Sequence, residues 1–318
     1  MPKKVIIKVP GKLFIAGEYA VTRQGGRAIV AAVETNFMIS VKQTKGLSVM
    51  HTNIGLEAFS FKPTDLLKPG MIDMKSDWSF ALTAIKKFIE VCGPLKSELE
   101  IEIQSNLGYG KNKKGYGSSA AVVSGIVKAL NQFFNMKLSF EEEFEIAADA
   151  HFEVQGSGSM GDIAAIIFGG IVSYRNRDLI EVLQFPDWET FVVQTGKSVK
   201  TGEKLSINFE PSFYAESDKL VQRLSQEKNF SGFKKLLLEN QDLLIKNLPK
   251  DYVTEKLDFA LKTVNSHPRL AGKISGSGFG ENLIVFSNGV SWGEITLLIQ
   301  SLEQKNIKME AIKFAKSN

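Results

Sequence analysis

The sequence predicts a mixture of strands and helices, in a chain of 318 residues with room for two packed domains. Three observations carry that expectation. Leu99, Ile101 and Ile103 alternate with Glu98, Glu100, Glu102 and Gln104, the two-residue period of a half-buried strand. Val122, Val123, Ile126, Val127 and Leu130 recur at helical spacing. Just upstream, Lys111, Lys113 and Lys114 lead into Gly115, Gly117, Ser118 and Ser119, a turn that would present free helix N–H groups to an anion.

The other elements follow the same signals. Val5–Val9 reads as a strand broken by Pro10-Gly11, and Ala28–Val33 and Phe37–Val41 as two more. Ser76 or Asp77 would cap a helix that carries Ala81, Ile85, Phe88 and Cys92 on one face. Ser139 and Glu142 have capping-box spacing and open a helix to about Phe152. A second Gly/Ser turn, Gln155–Asp162, leads into the apolar run Ile163–Phe168. Polar Arg175–Asp178 and Pro186 mark a boundary, which divides the chain into 1–185 and 186–318. Beyond it come a strand at Thr190–Thr195 and helices at Ala215–Gln226, Phe230–Ile245 and Val253–Val264. A third glycine turn at Lys273–Gly280, a strand at Leu283–Phe286, a helix near Gly293–Leu302 and a strand near Ile307–Phe314 complete the reading.

Composition narrows the function classes. Hydrophobics at 43% and charged residues at 23% are those of an ordinary globular protein. A formal charge of +4 favours anionic ligands mildly, and the scattered lysines argue against nucleic acid. A lone Cys92 suits a reducing compartment. The basic start has too few apolar residues for a signal peptide, and no apolar run reaches membrane-span length, so a cytoplasmic protein is expected.

The lysine–glycine–serine segment reads first as a phosphate cradle. It lacks the G-x-x-x-x-G-K-[ST] order of the P-loop. Taken with Gly11–Val21, with Gln155–Ala165 and with Ser275–Glu281, it resembles the GHMP kinases, over nearly the whole chain and with the three motifs in order. Gly11-Lys12-Leu13-Phe14-Ile15-Ala16-Gly17-Glu18-Tyr19 is similar to the phosphomevalonate kinases of that superfamily, since mevalonate kinases usually place a histidine after the glutamate. Three positions depart from the family pattern. Tyr116 stands for a leucine, Gln194 for an aromatic residue, and Gly278-Phe279-Gly280-Glu281 for three glycines and an aspartate.

The resemblance implies an α+β fold, with an N-terminal domain like one of a ribosomal protein, a C-terminal ferredoxin-like domain and an active site in the cleft between them. It implies ATP and Mg2+ as cofactors and a small phosphorylated acceptor, phosphomevalonate, for a chain that works as a monomer or homodimer. Gly115, Gly117, Ser118, Ser119 and Ala120 would hold the nucleotide, with Ser119 also a metal ligand. Lys12, Lys113 and Asp162 would be catalytic. Glu18, Tyr19, His151, Gln155, Ser157, Ser159, Lys197, Gly276 and Ser277 would contact the acceptor. Mevalonate kinases pair the serine with a glutamate, where this chain offers His151, with Glu153 nearby.

Each assignment has a plainer competitor. Asp162 alone reads as a helix cap, the lysines as a solvated loop, His151 as a satisfied helix residue and Gly276–Gly278 as a simple reversal. Two rival functions also remain open: an alcohol-accepting kinase such as mevalonate kinase, and a kinase-like sensor that binds without turnover.

Overall fold

The computed structural model describes residues 3–107, 114–196 and 207–318. Lys111, Lys113 and Lys197 lie outside the described residues.

The first strand, β1 (Lys4–Ala16), does not stop at Pro10-Gly11. It pairs antiparallel with β2 (Arg27–Gln43) on both sides of a register shift between Val9 and Gly11. A bulge tolerates the missing N–H of proline, so the strand bends rather than ends. The two strands expected at 28–41 are likewise one long strand. On its other edge, β2 pairs with β5 (Leu99–Gln104) along one half and with β6 (Ile171–Arg175) along the other. Short β3 (Ser48–Thr52) and β4 (Phe59–Phe61) extend the sheet beyond β5, and β7 (Leu179–Leu183) closes it beyond β6.

Helices α2 (Ser118–Phe134) and α4 (Gly161–Phe168) pack on β1 and β2. Over them lie α1 (Ser79–Cys92) and α3 (Phe140–Gln155). Helix α1 starts at Ser79, later than expected: Ser76 Oγ accepts from the Trp78 N–H and shapes a turn ahead of it rather than a cap. Helix α3 opens with the expected capping box, Ser139 and Glu142 each accepting from the other's backbone N–H.

A second, antiparallel sheet has the order β11 (Lys308–Ile312), β8 (Glu189–Gln194), β10 (Asn282–Ser287), β9 (Leu270–Ser275). Helices α6 (Phe230–Asn247), α7 (Glu255–Asn265) and α8 (Trp292–Glu303) pack against it. Helix α5 (Pro211–Gln226) lies between α6 and β2. One apolar core runs through both sheets. Residues 313–318 return to the first sheet, where the Ala315 N–H bonds to the Ala32 carbonyl and the Asn318 N–H to the Phe168 carbonyl. No helix among the described residues is long and apolar enough to cross a membrane.

Candidate active site

The site assembles at the start of α2. Gly117 is left-handed at φ 75°, and the first intrahelical bond is Ala121 N–H to the Gly117 carbonyl at 2.9 Å. The N–H groups of Ser118, Ser119 and Ala120 therefore have no intrahelical acceptor, and no side chain caps them. They form a cluster of donors at the positive end of a long helix. A Cβ at Gly117 would lie 2.9 Å from Cγ and Cε of Lys12, so only glycine lets that side chain cross the turn. The Lys12 N–H bonds to the Tyr116 carbonyl at 2.9 Å, which ties strand β1 to the cradle. The Lys12 Nζ sits 5.4 Å from the centroid of the Phe14 ring.

The C-terminal sheet grips the same loop. Asn282 Nδ2 donates to the Lys114 carbonyl at 2.6 Å, beside Gly115. Two of the departures noted in the sequence meet here: Gln194 Nε2 lies 3.4 Å from the Tyr116 hydroxyl and donates to Glu310 at 3.0 Å. Burial pushes the Tyr116 phenol up to about 12, so it stays protonated at neutral pH. A crevice of about 410 Å³ opens beside the pair, lined by Thr35, Asn106, Lys114, Tyr116, Glu310 and Lys313 among others.

Ser119 faces His151, with 3.2 Å between Oγ and Nε2. The imidazole is buried, packs on Phe80 and has an unpartnered Nδ1. Burial lowers its pKa below the usual imidazole range, and Asp162 pulls it part of the way back. Glu153, the other group near this position, is held by Lys86 and Lys87 at 2.7 and 2.9 Å and is not paired with Ser119.

Asp162 is the second residue of α4 and not its cap, a place taken by left-handed Met160. Its Oδ1 accepts from the Ile163 N–H at 3.0 Å. The Gly/Ser turn before it is locally stitched: Ser159 Oγ accepts from the Gly161 N–H, Tyr174 donates to the Ser159 carbonyl, and Gln155 donates to the Ser157 carbonyl.

The first and third motifs meet across the two sheets. Tyr19, left-handed at φ 63°, donates its hydroxyl to the Ser277 carbonyl at 2.5 Å. Glu18 is turned inward to Lys273, 2.6 Å away, with both side chains buried. Burial depresses the Lys273 pKa, and Glu18 offsets part of that shift. Nothing in the sequence pointed to Lys273 as its partner, 255 residues away. The third turn, Gly276–Gly280, is closed by Phe279 N–H bonding to the Tyr252 carbonyl. A Cβ at Gly278 would fall 2.2 Å from the Tyr252 ring. Phe279 is left-handed at φ 58° and buried against that same ring. Glu281 folds back onto the turn, accepting from the Ser277 N–H at 3.3 Å.

Comparison with known proteins agrees with this geometry. Residues 79–170 match the family model described as the GHMP kinases N terminal domain. A phosphomevalonate kinase of Streptomyces sp. (strain CL190) is 32% identical over 195 residues, covering 57% of this chain and 52% of that one. The chain thus spans about half the length of that relative. A mevalonate kinase of Methanocaldococcus jannaschii is 26% identical over 322 residues, covering 96% of this chain and 98% of that one. Among solved structures, a Lin0012 protein from Listeria innocua has a TM-score of 0.85 at 26% identity, covering 99% of both chains. A Streptococcus pneumoniae phosphomevalonate kinase in complex with phosphomevalonate and AMPPNP has a TM-score of 0.83 at 21% identity, covering 96% of this chain and 99% of that one, a likeness of fold. The free N–H groups at the start of α2 and the glycine that Lys12 crosses fall in the segment that matches the GHMP kinases N terminal domain, and over nearly its whole length the chain is similar to a mevalonate kinase.

Proposed function

We propose that the chain transfers the terminal phosphoryl group of ATP to the phosphate of (R)-5-phosphomevalonate, giving 5-diphosphomevalonate and ADP, as a step of isoprenoid biosynthesis. The observation that carries the phosphate acceptor is the buried pair of His151 and Ser119. An imidazole kept neutral by burial puts no carboxylate charge beside the cradle, where two polyanions must approach each other. The 32% identical relative is named phosphomevalonate kinase. A second reading, with mevalonate as acceptor, is favoured by the near end-to-end match to the Methanocaldococcus mevalonate kinase.

In this reading Gly115, Gly117, Ser118, Ser119 and Ala120 cradle the nucleotide's phosphates. Lys12 crosses Gly117 to the transferred group, and Lys113 and Lys197 bring further positive charge to it and to the acceptor. A phosphate monoester, with its second pKa near ~6, is already largely dianionic at neutral pH. It needs no base, which leaves Asp162 to orient the acceptor or Lys12. Tyr19, Gln155, Ser157, Ser159, Gly276 and Ser277 shape the acceptor side, Glu18 supports Tyr19 from behind, and the cleft lies between segments 1–185 and 186–318. The hydroxyl of Ser119 and a nearby imidazole make a thin donor set, and no group of three or more His, Cys, Asp or Glu suited to a metal occurs among the described residues. Such a site fits Mg2+ carried in on ATP, which supplies charge neutralisation when bound. The free thiol of Cys92 supports a cytoplasmic setting.

Asp162→Asn is expected to lower kcat by less than about tenfold, and Lys113→Met by about 100-fold or more, the usual loss of one transition-state charge contact. Collapses of similar size in steady-state assays of both variants would assign base chemistry to Asp162 and contradict the phosphate acceptor.

A further inference from the structure

The third glycine turn has an internal anion. Glu281, at the end of the turn, swings its Oε2 back to the Ser277 N–H, 3.3 Å away, and a Cβ at Gly276 would lie 3.0 Å from the same oxygen. The turn is clamped from the other side by the Tyr19 hydroxyl on the Ser277 carbonyl. Asn282, the next residue, donates to the Lys114 carbonyl and so ties this end of the turn to the cradle, where Lys12 crosses Gly117. The carboxylate thus occupies a backbone donor at the end of the turn that adjoins the cradle. A backbone N–H is a group that an anionic oxygen in the cleft would seek.

We propose that the Glu281 carboxylate is an internal stand-in for an oxyanion of the phosphoryl acceptor, seated on the Ser277 N–H, so that the acceptor must displace it to bind. This rests on the reading of the cleft as a phosphoryl-transfer site, and it adds the residue that sets how tightly an anion is held there. Both anions compete for one donor, and two negative charges in so small a space repel strongly. The carboxylate's pKa is raised by burial and drawn down by Lys12 and Ser277, as expected of a charge partly desolvated and partly compensated.

The test uses inorganic pyrophosphate, which reads the turn whatever the true acceptor is. Glu281→Gln keeps an oxygen for the Ser277 N–H and removes the charge. Calorimetric titration of the full chain should show pyrophosphate bound about tenfold more tightly by Glu281→Gln than by the parent, a difference of about 1.4 kcal/mol. Adding Lys12→Met to Glu281→Gln should cancel the gain. Equal or weaker binding by Glu281→Gln overturns the proposal. A measurement on the unaltered protein guards against a folding defect: the Ser277 amide resonance should shift when pyrophosphate saturates the protein, and an unmoved resonance also overturns it. If pyrophosphate behaves as expected while no phosphorylated acceptor is turned over, the fault lies with the substrate assignment and not with Glu281.

Discussion

Lys12, Ser119 and Asp162 were nominated from the sequence because each lies in a short motif whose glycines restrict the backbone around it. Their partners were not. Glu18 was expected to contact the acceptor, yet its carboxylate is buried on Lys273, a lysine with no exposed surface. Such a pairing is made by two sheets meeting, and no local pattern encodes it. Tyr116 and Gln194 look like separate departures from a family pattern and prove to be neighbours. Breaking a buried pair by removing one member leaves the other charge uncompensated, at a cost of about 3–5 kcal/mol. Lys273→Met should therefore lower the urea-unfolding free energy by about 3 kcal/mol. A loss below about 1 kcal/mol would mean that Glu18 finds water in the folded chain, at odds with its burial.

At the scale of elements, legibility followed the exposure of one face. Strand β5 has one face in the core and the other in partial contact with water, so its residues alternate and the reading was correct. Strand β9 is buried along its whole length yet holds Gly272, Lys273 and Ser275, which look like turn residues. The sequence reading accordingly merged it into the third glycine turn. In β1 the proline signal was misread because a bulge absorbs it. The capping box of α3 was read correctly because both of its bonds are local. Ser139→Ala removes the side-chain acceptor for the Glu142 N–H and should destabilise the chain by about 1 kcal/mol in thermal or denaturant melts, with kcat unaffected. A fall in kcat at full occupancy would show that α3, which carries His151, transmits strain to the cradle.

For the whole molecule, the site depends on contacts between the two sheets. Asn282 of β10 holds the cradle, Tyr19 holds the third turn, Glu18 and Lys273 join the sheets behind them, and residues 313–318 return to β2 and α4. Lys12, which crosses Gly117, bears on the start of α2. The buried, neutral His151 beside Ser119 is what the acceptor assignment rests on. An ADP-release assay run with phosphomevalonate, mevalonate, homoserine and galactose side by side tests that assignment most directly. The account predicts turnover with phosphomevalonate at a kcat/KM at least about 100-fold above the other three, a discrimination of roughly 2.7 kcal/mol. Preference for mevalonate would contradict it, and turnover of none would make the chain a sensor that binds without catalysis.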